Sequence, residues 1–454
     1  MMKKFAILLS TLGILTPALA VAQDTVPRVA PQNTVPREAL AAASDAAEPT
    51  TAKSVAPEAK PAKRGFGSIG FDVGDWKFKF GGFMQTAFDV YGIDTADDTD
   101  MPAPHTGFAH LNARLNFDIS YAKNLSMRMS LDGAGGVDLE GGTEQTIGLK
   151  DIYIDYKVVP AFRMRLGQFK PPLDLENLTS ETDANFTRRS IVSTGGSSDF
   201  NVKTSLEGTA LNSGFSPSRE LGLSLYSDVI GADGPVGFKY SVAVTNGNKA
   251  TELLNDDEMF AVYGRVELGL NNAMLTNGEK GQFLTLAGGF SYEMLDFTPD
   301  DINDNDDDDY LGHSVIAYAE LRAAYAGFAF DAEYMWRSRD IYAVDRIFTM
   351  HTNAFLVQAA YMIPVEYWRL QFAYRFAGMF VSNSEDNYPE VTGWLGDLMQ
   401  HTAAIAYHVE NYPIVIRAEY THLVEYTGGE YTFGDDNKDG IGNDMFSLMV
   451  QVKW

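Results

Sequence analysis

The feature that most constrains this chain is a series of long segments in which apolar and polar residues alternate. Between residues 111 and 121 every odd position is apolar or aromatic, whereas the even positions carry polar residues such as Arg114 and Asp118. Successive side chains of a β-strand point to opposite faces, so each segment has one apolar and one polar face. Soluble sandwiches alternate in the same way, but their strands average about five or six residues. These segments run to about ten or more, which is the length that a tilted strand needs to cross a bilayer.

The alternation recurs along the chain and predicts a transmembrane antiparallel β-barrel of about sixteen strands, an even number as in bacterial barrels. The connections alternate between short and long, with long ones at 133–146, 171–218 and 338–351. Short turns at one end and long loops at the other are typical of such barrels. The last alternating segment, 446–454, stops on the aromatic Trp454. This ending resembles the terminal recognition signal of outer-membrane barrel proteins.

The N-terminus predicts export. Two lysines, Lys3 and Lys4, precede an apolar stretch over 5–15, and small residues follow at 18–20 and 20–22. This order is typical of a secretory signal peptide, which we place at residues 1–22. Residues 23–64 are rich in Ala and Pro and nearly free of aromatics, which predicts a disordered periplasmic segment. The barrel domain then takes residues 65–454, and the predicted location is the bacterial outer membrane.

Composition excludes several classes of function. The chain of 454 residues has 61 acidic against 35 basic side chains, a formal net charge of −26, which argues against nucleic acid as a partner. It has no Cys, so thiol catalysis, disulfides and Cys-zinc sites are excluded. Neither an H-E-x-x-H pair nor a G-x-S-x-G elbow occurs, and we expect no enzyme.

The polar strand faces should line the lumen of the predicted barrel. A ring of cations favours anions in a protein pore, and the Arg guanidinium matches the geometry of phosphate. Alternatively, the cations form a solvated wall paired with carboxylates such as Asp89, Asp155 and Glu419. The candidate pore-lining residues on strands are Lys77, Lys79, Arg114, Arg128, Arg163, Arg165, Arg369, Arg375 and Arg417.

The longest connection, 171–218, is far longer than a hairpin needs, and long loops usually carry function. If it folds back into the barrel it becomes a constriction, with Lys170 at its start and then Arg188, Arg189 and Lys203. Alternatively it packs over the mouth or onto a neighbouring subunit.

The acidic loops suggest a second, weaker site. Asp435, Asn437 and Asp439 place oxygen ligands at alternate positions before a Gly, as in the first half of a calcium loop. The twelfth position is Phe446 rather than the bidentate Glu that an EF-hand requires. Calcium here would bridge to lipopolysaccharide. A solvated acidic loop without metal is the alternative, and no other cofactor is expected.

Residues 167–180, GQFKPPLDLENLTS, closely resemble the signature of the phosphate-selective porin O and P family, and the match continues over 186–190. The resemblance implies a homotrimeric outer-membrane channel of about sixteen strands that passes phosphate or polyphosphate along Arg and Lys side chains. Lys170 and Arg189 carry over by position. The chain departs from the family where Arg188 replaces a commonly acidic residue and where Asp174 replaces a small one.

We therefore expect a porin for passive diffusion of small anions, embedded in outer-membrane lipid and lipopolysaccharide. Two alternatives stay open. One is a general or weakly selective porin for small hydrophilic solutes. The other is a surface adhesin or structural protein whose loops bind a partner while the lumen is plugged.

Overall fold

The computed structural model shows a β-sheet protein. The predicted signal peptide, the 23–64 segment, Lys203 and the acidic loops at 300–309 and 435–440 lie outside the described residues. The described ranges are 69–93, 106–139, 142–195, 205–206, 209–210, 214–217, 219–231, 234–247, 259–270, 283–296, 311–343, 346–363, 369–383, 396–410, 412–427 and 441–454. No helix within them is long and apolar enough to cross a membrane.

Nineteen strands and two single-turn helices occur in these ranges. The first strands are β1 (Ile69–Val73), β2 (Trp76–Ile93), β3 (Gly107–Tyr121), β4 (Leu125–Leu139), β5 (Gly142–Val159) and β6 (Phe162–Phe169). The connection that follows contains α1 (Leu175–Leu178), α2 (Ile191–Thr194), β7 (Ser205–Leu206) and β8 (Thr209–Ala210). The chain continues with β9 (Glu220–Tyr226), β10 (Val236–Thr245), β11 (Ala261–Leu270), β12 (Phe283–Asp296), β13 (Leu311–Tyr325), β14 (Phe328–Ala343), β15 (Arg346–Met362), β16 (Leu370–Asn383), β17 (Gly396–His408), β18 (Ile414–Thr427) and β19 (Ile441–Lys453).

Sixteen of the strands, β2–β6 and β9–β19, pair antiparallel in chain order and close into a barrel. The long connection is bridged by pairing of β6 with β9. The ring closes where β19 pairs with β2, from Asn443 opposite Ile93 to Lys453 opposite Phe83. The predicted all-β barrel of about sixteen strands is confirmed.

The alternation of the sequence becomes the two faces of the barrel wall. Exposed apolar side chains such as Leu115, Ile154 and Leu268 point outward. Their strand neighbours Arg114 and Asp155 are buried and point inward, where they bond other polar groups. The inside is therefore polar and the outside apolar, as a barrel in lipid requires.

Two predicted long connections are wrong. β4 continues to Leu139 and β5 begins at Gly142, so 133–146 is mostly paired strand rather than loop. Likewise β14 reaches Ala343 and β15 begins at Arg346, inside the predicted 338–351 connection. Backbone hydrogen bonds between neighbouring strands extend these hairpins beyond the part with apolar alternation, and such bonds leave no mark in the sequence.

Strand β1 was missed, because the alternation becomes evident only from Trp76 onward. β1 pairs with the first residues of β2, from Ile69 opposite Phe80 to Val73 opposite Trp76. It uses the edge of β2 that β19 leaves free, since the pairing of β19 with β2 stops at Phe83.

The connection between β6 and β9, called here the inner loop (residues 170–219), folds into the barrel. Backbone groups of the inner loop bond side chains that point inward from strands distributed around the wall. These wall residues are Gln85, Glu333, Arg375, Gln400, Arg417, Glu419 and Gln451. The predicted inward-folded third loop is confirmed, and it positions the candidate site.

Candidate functional site

The inner loop has a small apolar core of its own against the wall. Phe169, Leu173, Ile191, Val192 and Phe215 are all buried in one cluster that also contains residues of β11 and β13–β19. Burial of such side chains contributes about 1.5–3 kcal/mol each. The loop is therefore held in the barrel by packing as well as by polar contacts.

Asp174 shapes the start of the loop. Its backbone has a φ of 65°, a conformation uncommon for residues other than Gly but tolerated best by Asn and Asp. Its carboxylate caps α1 by accepting from the Glu176 N–H at 2.8 Å and also accepts from the hydroxyls of Ser193 and Ser216. Burial and the neighbouring Glu176 raise the pKa of Asp174 to about 6. One carboxyl group thus joins α1, α2 and the returning chain.

Glu181 gathers three of the predicted cations. Its carboxylate lies 3.0 Å from Arg114 Nη1, 3.2 Å from Arg189 Nη2 and 3.7 Å from Lys170 Nζ. Burial alone would raise the pKa of Glu181, but the charges of Lys170, Arg114 and Arg189 hold it well below its ordinary range. Burial lowers the pKa of Lys170 to about 7, against the attraction of Glu181.

Arg375 and Arg417 lie beneath the inner loop. Arg375 is fully buried and donates to Glu176 Oε1 at 3.0 Å and to the carbonyl oxygen of Arg188 at 2.9 Å. Arg417 donates to the carbonyl oxygen of Ala184 at 2.8 Å. Both guanidinium groups hold the loop against the wall rather than facing open lumen.

Arg188 fastens the loop to the seam where the barrel closes. Its guanidinium bonds both carboxylate oxygens of Asp89 on β2, at 3.2 and 2.7 Å. Ser447 on β19 lies directly opposite Asp89 and donates to the same carboxylate at 2.6 Å. The residue that departs from the family's acidic pattern therefore has an acidic partner on the first barrel strand.

On the opposite side, the loop leaves open space inside the barrel. A cavity of about 340 Å³, called here the basic chamber, lies between the root of the loop and strands β6, β9–β11 and β13. Five of the described residues that line it are cations and only Glu267 is a carboxylate. The cations are Arg165, Lys170, Lys239, Arg265 and Arg322.

The carboxylate partners of these cations mostly lie behind them. Arg165 bonds Asp155 at 2.8 and 3.0 Å, Arg265 bonds Glu320, and Arg322 lies 3.3 Å from Asp331. The Arg322 side chain is 33% exposed and Asp331 only 12%; the Arg165 side chain is 25% exposed and Asp155 8%. The wall is close to neutral in formal charge, yet it presents mainly guanidinium groups to the chamber.

A second cavity, of about 500 Å³, at the short-turn end brings together Lys77, Lys79 and Arg128. Arg128 is half-exposed and bonds both oxygens of Asp118, at 2.6 and 3.1 Å. Two further predicted residues lie near this end. Arg163 bonds Asp228 in a turn at 2.7 Å, and Arg369 is exposed beside the start of β16.

Sequence reasoning missed Lys239, Arg265 and Arg322. Arg265 and Glu267 alternate with the exposed Val266 and Leu268, so the same signal used elsewhere could have found them. Around Arg322 the alternation is weakened by several alanines, and no clear signal was available.

Metal binding finds no support in the described part of the chain, where no group of three or more His, Asp or Glu side chains is arranged to hold an ion. The calcium candidates Asp435, Asn437 and Asp439 lie outside it, so that site stays a prediction.

Comparison with known proteins agrees with this geometry. The family model described as phosphate-selective porin O and P matches residues 78–388. No curated protein matches the chain in sequence. Among solved structures, the chain is similar to the anion-selective porin from Comamonas acidovorans, at 11% identity over 84% of this chain and 100% of that one, with a TM-score of 0.53.

Two further structures are similar at comparable levels. OprB of Pseudomonas putida is 12% identical over 84% of this chain and 94% of its own, with a TM-score of 0.50. The channel DcaP of Acinetobacter baumannii is 14% identical over 85% and 99%, with a TM-score of 0.49. At such low identity, the likeness to the first two structures shows a shared fold only.

Proposed function

The chain belongs to the phosphate-selective porin O and P family, and from that premise we propose that its barrel is a water-filled channel for passive diffusion of small anions. Family membership makes the protein a porin of the bacterial outer membrane rather than an enzyme. The selectivity for anions is the part that we propose.

One observation carries this selectivity. The basic chamber is lined by five cations against the single carboxylate of Glu267, because Asp155, Glu320 and Asp331 do not line it. A solute in the chamber therefore meets guanidinium and ammonium groups before it meets their counter-charges. Charged groups that line a narrow pore select ions of opposite sign.

The balance of the ion pairs favours moderate rather than strict selectivity. Each lining cation except Lys170 has a carboxylate within hydrogen-bonding or ion-pair distance, and Lys170 lies 3.7 Å from Glu181. Phosphate is a candidate solute on the family's name, and a weakly selective general porin is the nearest alternative.

The sign of selectivity can be measured directly. We expect the purified protein to give stepwise currents in planar bilayers, with a zero-current potential of anionic sign under a potassium chloride gradient. A potential of cationic sign would overturn the proposal. Absence of current would favour the adhesin or structural role, and repeating the gradient with phosphate tests that solute.

We also propose that the protein is a homotrimer, as its resemblance to the family implies. Hydrogen-bonded polar groups on the outer wall support a protein partner. Tyr374 bonds His401 at 2.7 Å, and Asp444 accepts from Tyr420 at 2.7 Å and bonds His422 at 2.7 Å. Titratable groups are costly to place against acyl chains, so cover by another subunit is favourable.

Chemical cross-linking in outer-membrane vesicles tests the oligomer. We expect a ladder that ends at three copies. A product that stays at one copy at saturating cross-linker would contradict the trimer and leave the channel proposal untouched.

A further inference from the structure

The basic chamber has an apolar side as well as a basic one. The inner loop contributes Pro172 and Leu178, and β6 contributes Phe169. Leu178 is 40% exposed, unusual for a large apolar side chain on an inward-folded loop. The strands opposite contribute Lys239, Arg265 and Arg322. The chamber is therefore amphipathic.

We propose that the basic chamber is a binding site for small organic anions that carry a single negative charge on an apolar body, such as aromatic carboxylates. This inference rests on the proposed function, because it specifies the class of anion that the channel holds in transit.

The size of the chamber agrees with such a ligand. Its volume of about 340 Å³ is at the lower end of the range, about 300–1,000 Å³, typical of small-molecule sites. Such sites combine apolar walls with a few placed polar groups. Here Leu178 and Tyr226 offer apolar and aromatic surface, and the hydroxyls of Ser224 and Ser241 lie among the lining groups.

The apolar side disfavours inorganic phosphate. Every oxygen of phosphate needs a hydrogen-bond donor or water, and a polar atom turned toward Pro172 and Leu178 would have neither. An aromatic carboxylate can place its ring against the loop and its charged group toward the wall. Removal of apolar surface from water then adds to its binding, at roughly 25 cal/mol per Å².

The state of the cations favours one charge over two. Arg165 already donates to both oxygens of Asp155, and Arg265 donates to both oxygens of Glu320. A polyanion would have to compete with these pairs, whereas a single carboxylate needs only the donors that the pairs leave available. Arg165 also lies over the Tyr226 ring, 5.2 Å from its centroid, which joins the basic and aromatic parts of the site.

Block of chloride current tests the inference. Benzoate, acetate and phosphate are added in turn to the purified protein in planar bilayers at constant ionic strength. Acetate carries the same charge as benzoate without the ring, and phosphate carries more charge without apolar surface. We expect half-block by benzoate at a concentration at least about tenfold lower than by either other anion. Equal block by all three, or stronger block by phosphate, would overturn the inference.

A pair of leucine variants locates the effect. Leu178→Ala removes apolar surface from the chamber and should reduce the preference for benzoate over acetate by about tenfold. Leu223→Ala removes a leucine that is equally exposed, at 40%, but lies on the outer face of β9 beside the inward Ser224. That control should keep the preference. Loss of preference in both variants, or in neither, would contradict the assignment to the chamber.

The same recordings separate this inference from the proposed function. If the zero-current potential is anionic and the three anions block alike, only the organic-anion site fails. If the potential is cationic or no channel forms, the proposed function fails, and the site fails with it.

Discussion

The indole of Trp454 lies across the backbone of Gly82, in a position that no other residue at 82 would permit. The two residues exchange backbone hydrogen bonds of 3.0 Å at the seam between β19 and β2. A Cβ atom at residue 82 would lie 2.8 Å from the Trp454 ring and 2.3 Å from the carbonyl oxygen of Arg114. The last residue of the chain is thus seated on the first barrel strand only because that strand has a glycine there.

We therefore predict that Gly82→Ala impairs closure of the barrel, because the carbonyl oxygen of Arg114 belongs to the paired backbone and cannot move aside cheaply. Heat-modifiability on gels should show a smaller folded fraction after refolding in detergent. Gly92→Ala on the same strand is the control, since its Cβ would meet nothing nearer than Asp444 Cβ at 3.7 Å. Similar folded fractions for the two variants would count against this reading.

The buried pair of Asp89 and Arg188 should matter more than a similar pair in water. Asp89→Asn leaves the buried Arg188 charge without its partner, a loss of about 3 kcal/mol or more. Urea unfolding in detergent, followed by tryptophan fluorescence, measures it. Asp118→Asn is the matched control, because Asp118 also binds an arginine through both oxygens but Arg128 is 45% exposed. We expect a loss below about 1 kcal/mol there, and equal losses would contradict the prediction.

Asp174 should make the stability of the inner loop depend on pH. Burial and Glu176 raise its pKa from 3.8 to about 6, so its contribution is fully present below pH 3.8 and lost as the pH rises through about 6. The stability advantage of the wild type over Asp174→Asn should shrink by on the order of 3 kcal/mol across that window. Unfolding at several pH values measures the difference.

The control for the pH prediction is Asp183→Asn on the same loop. The Asp183 side chain is 69% exposed, so its replacement should leave the pH profile of stability as it is. An Asp174→Asn profile parallel to that of the wild type would refute a role for this carboxyl.

Selectivity should respond to Arg322, which lines the basic chamber. Arg322→Gln removes a cation and leaves the carboxylate of Asp331 without that cation, and both changes favour cations in the pore. The zero-current potential under a chloride gradient should move toward zero. Arg322→Lys keeps the charge and should keep most of the anion preference. An unchanged potential in Arg322→Gln would place the selective step elsewhere.

Much of the wall could be read from the sequence. The alternation around Arg114 assigned this residue to the inner face, and the same rule would have assigned Arg265 had it been applied to its segment. Alternation is local, because backbone geometry alone sends neighbouring side chains to opposite faces. It could not show where hairpins end, so the paired residues up to Leu139 and Ala343 were assigned to loops.

The chain by itself therefore determined the barrel, its polar interior and the loop that belongs inside it. Only the tertiary structure decided what each charge does. Arg114 and Glu181 are 67 positions apart, and Arg188 and Asp89 are 99 apart, so no periodicity links them. Their pairing depends on where the barrel closes and on which wall the inner loop packs against. That route buries Arg375 beneath the loop and leaves Arg322 facing water, although both residues follow the same alternation.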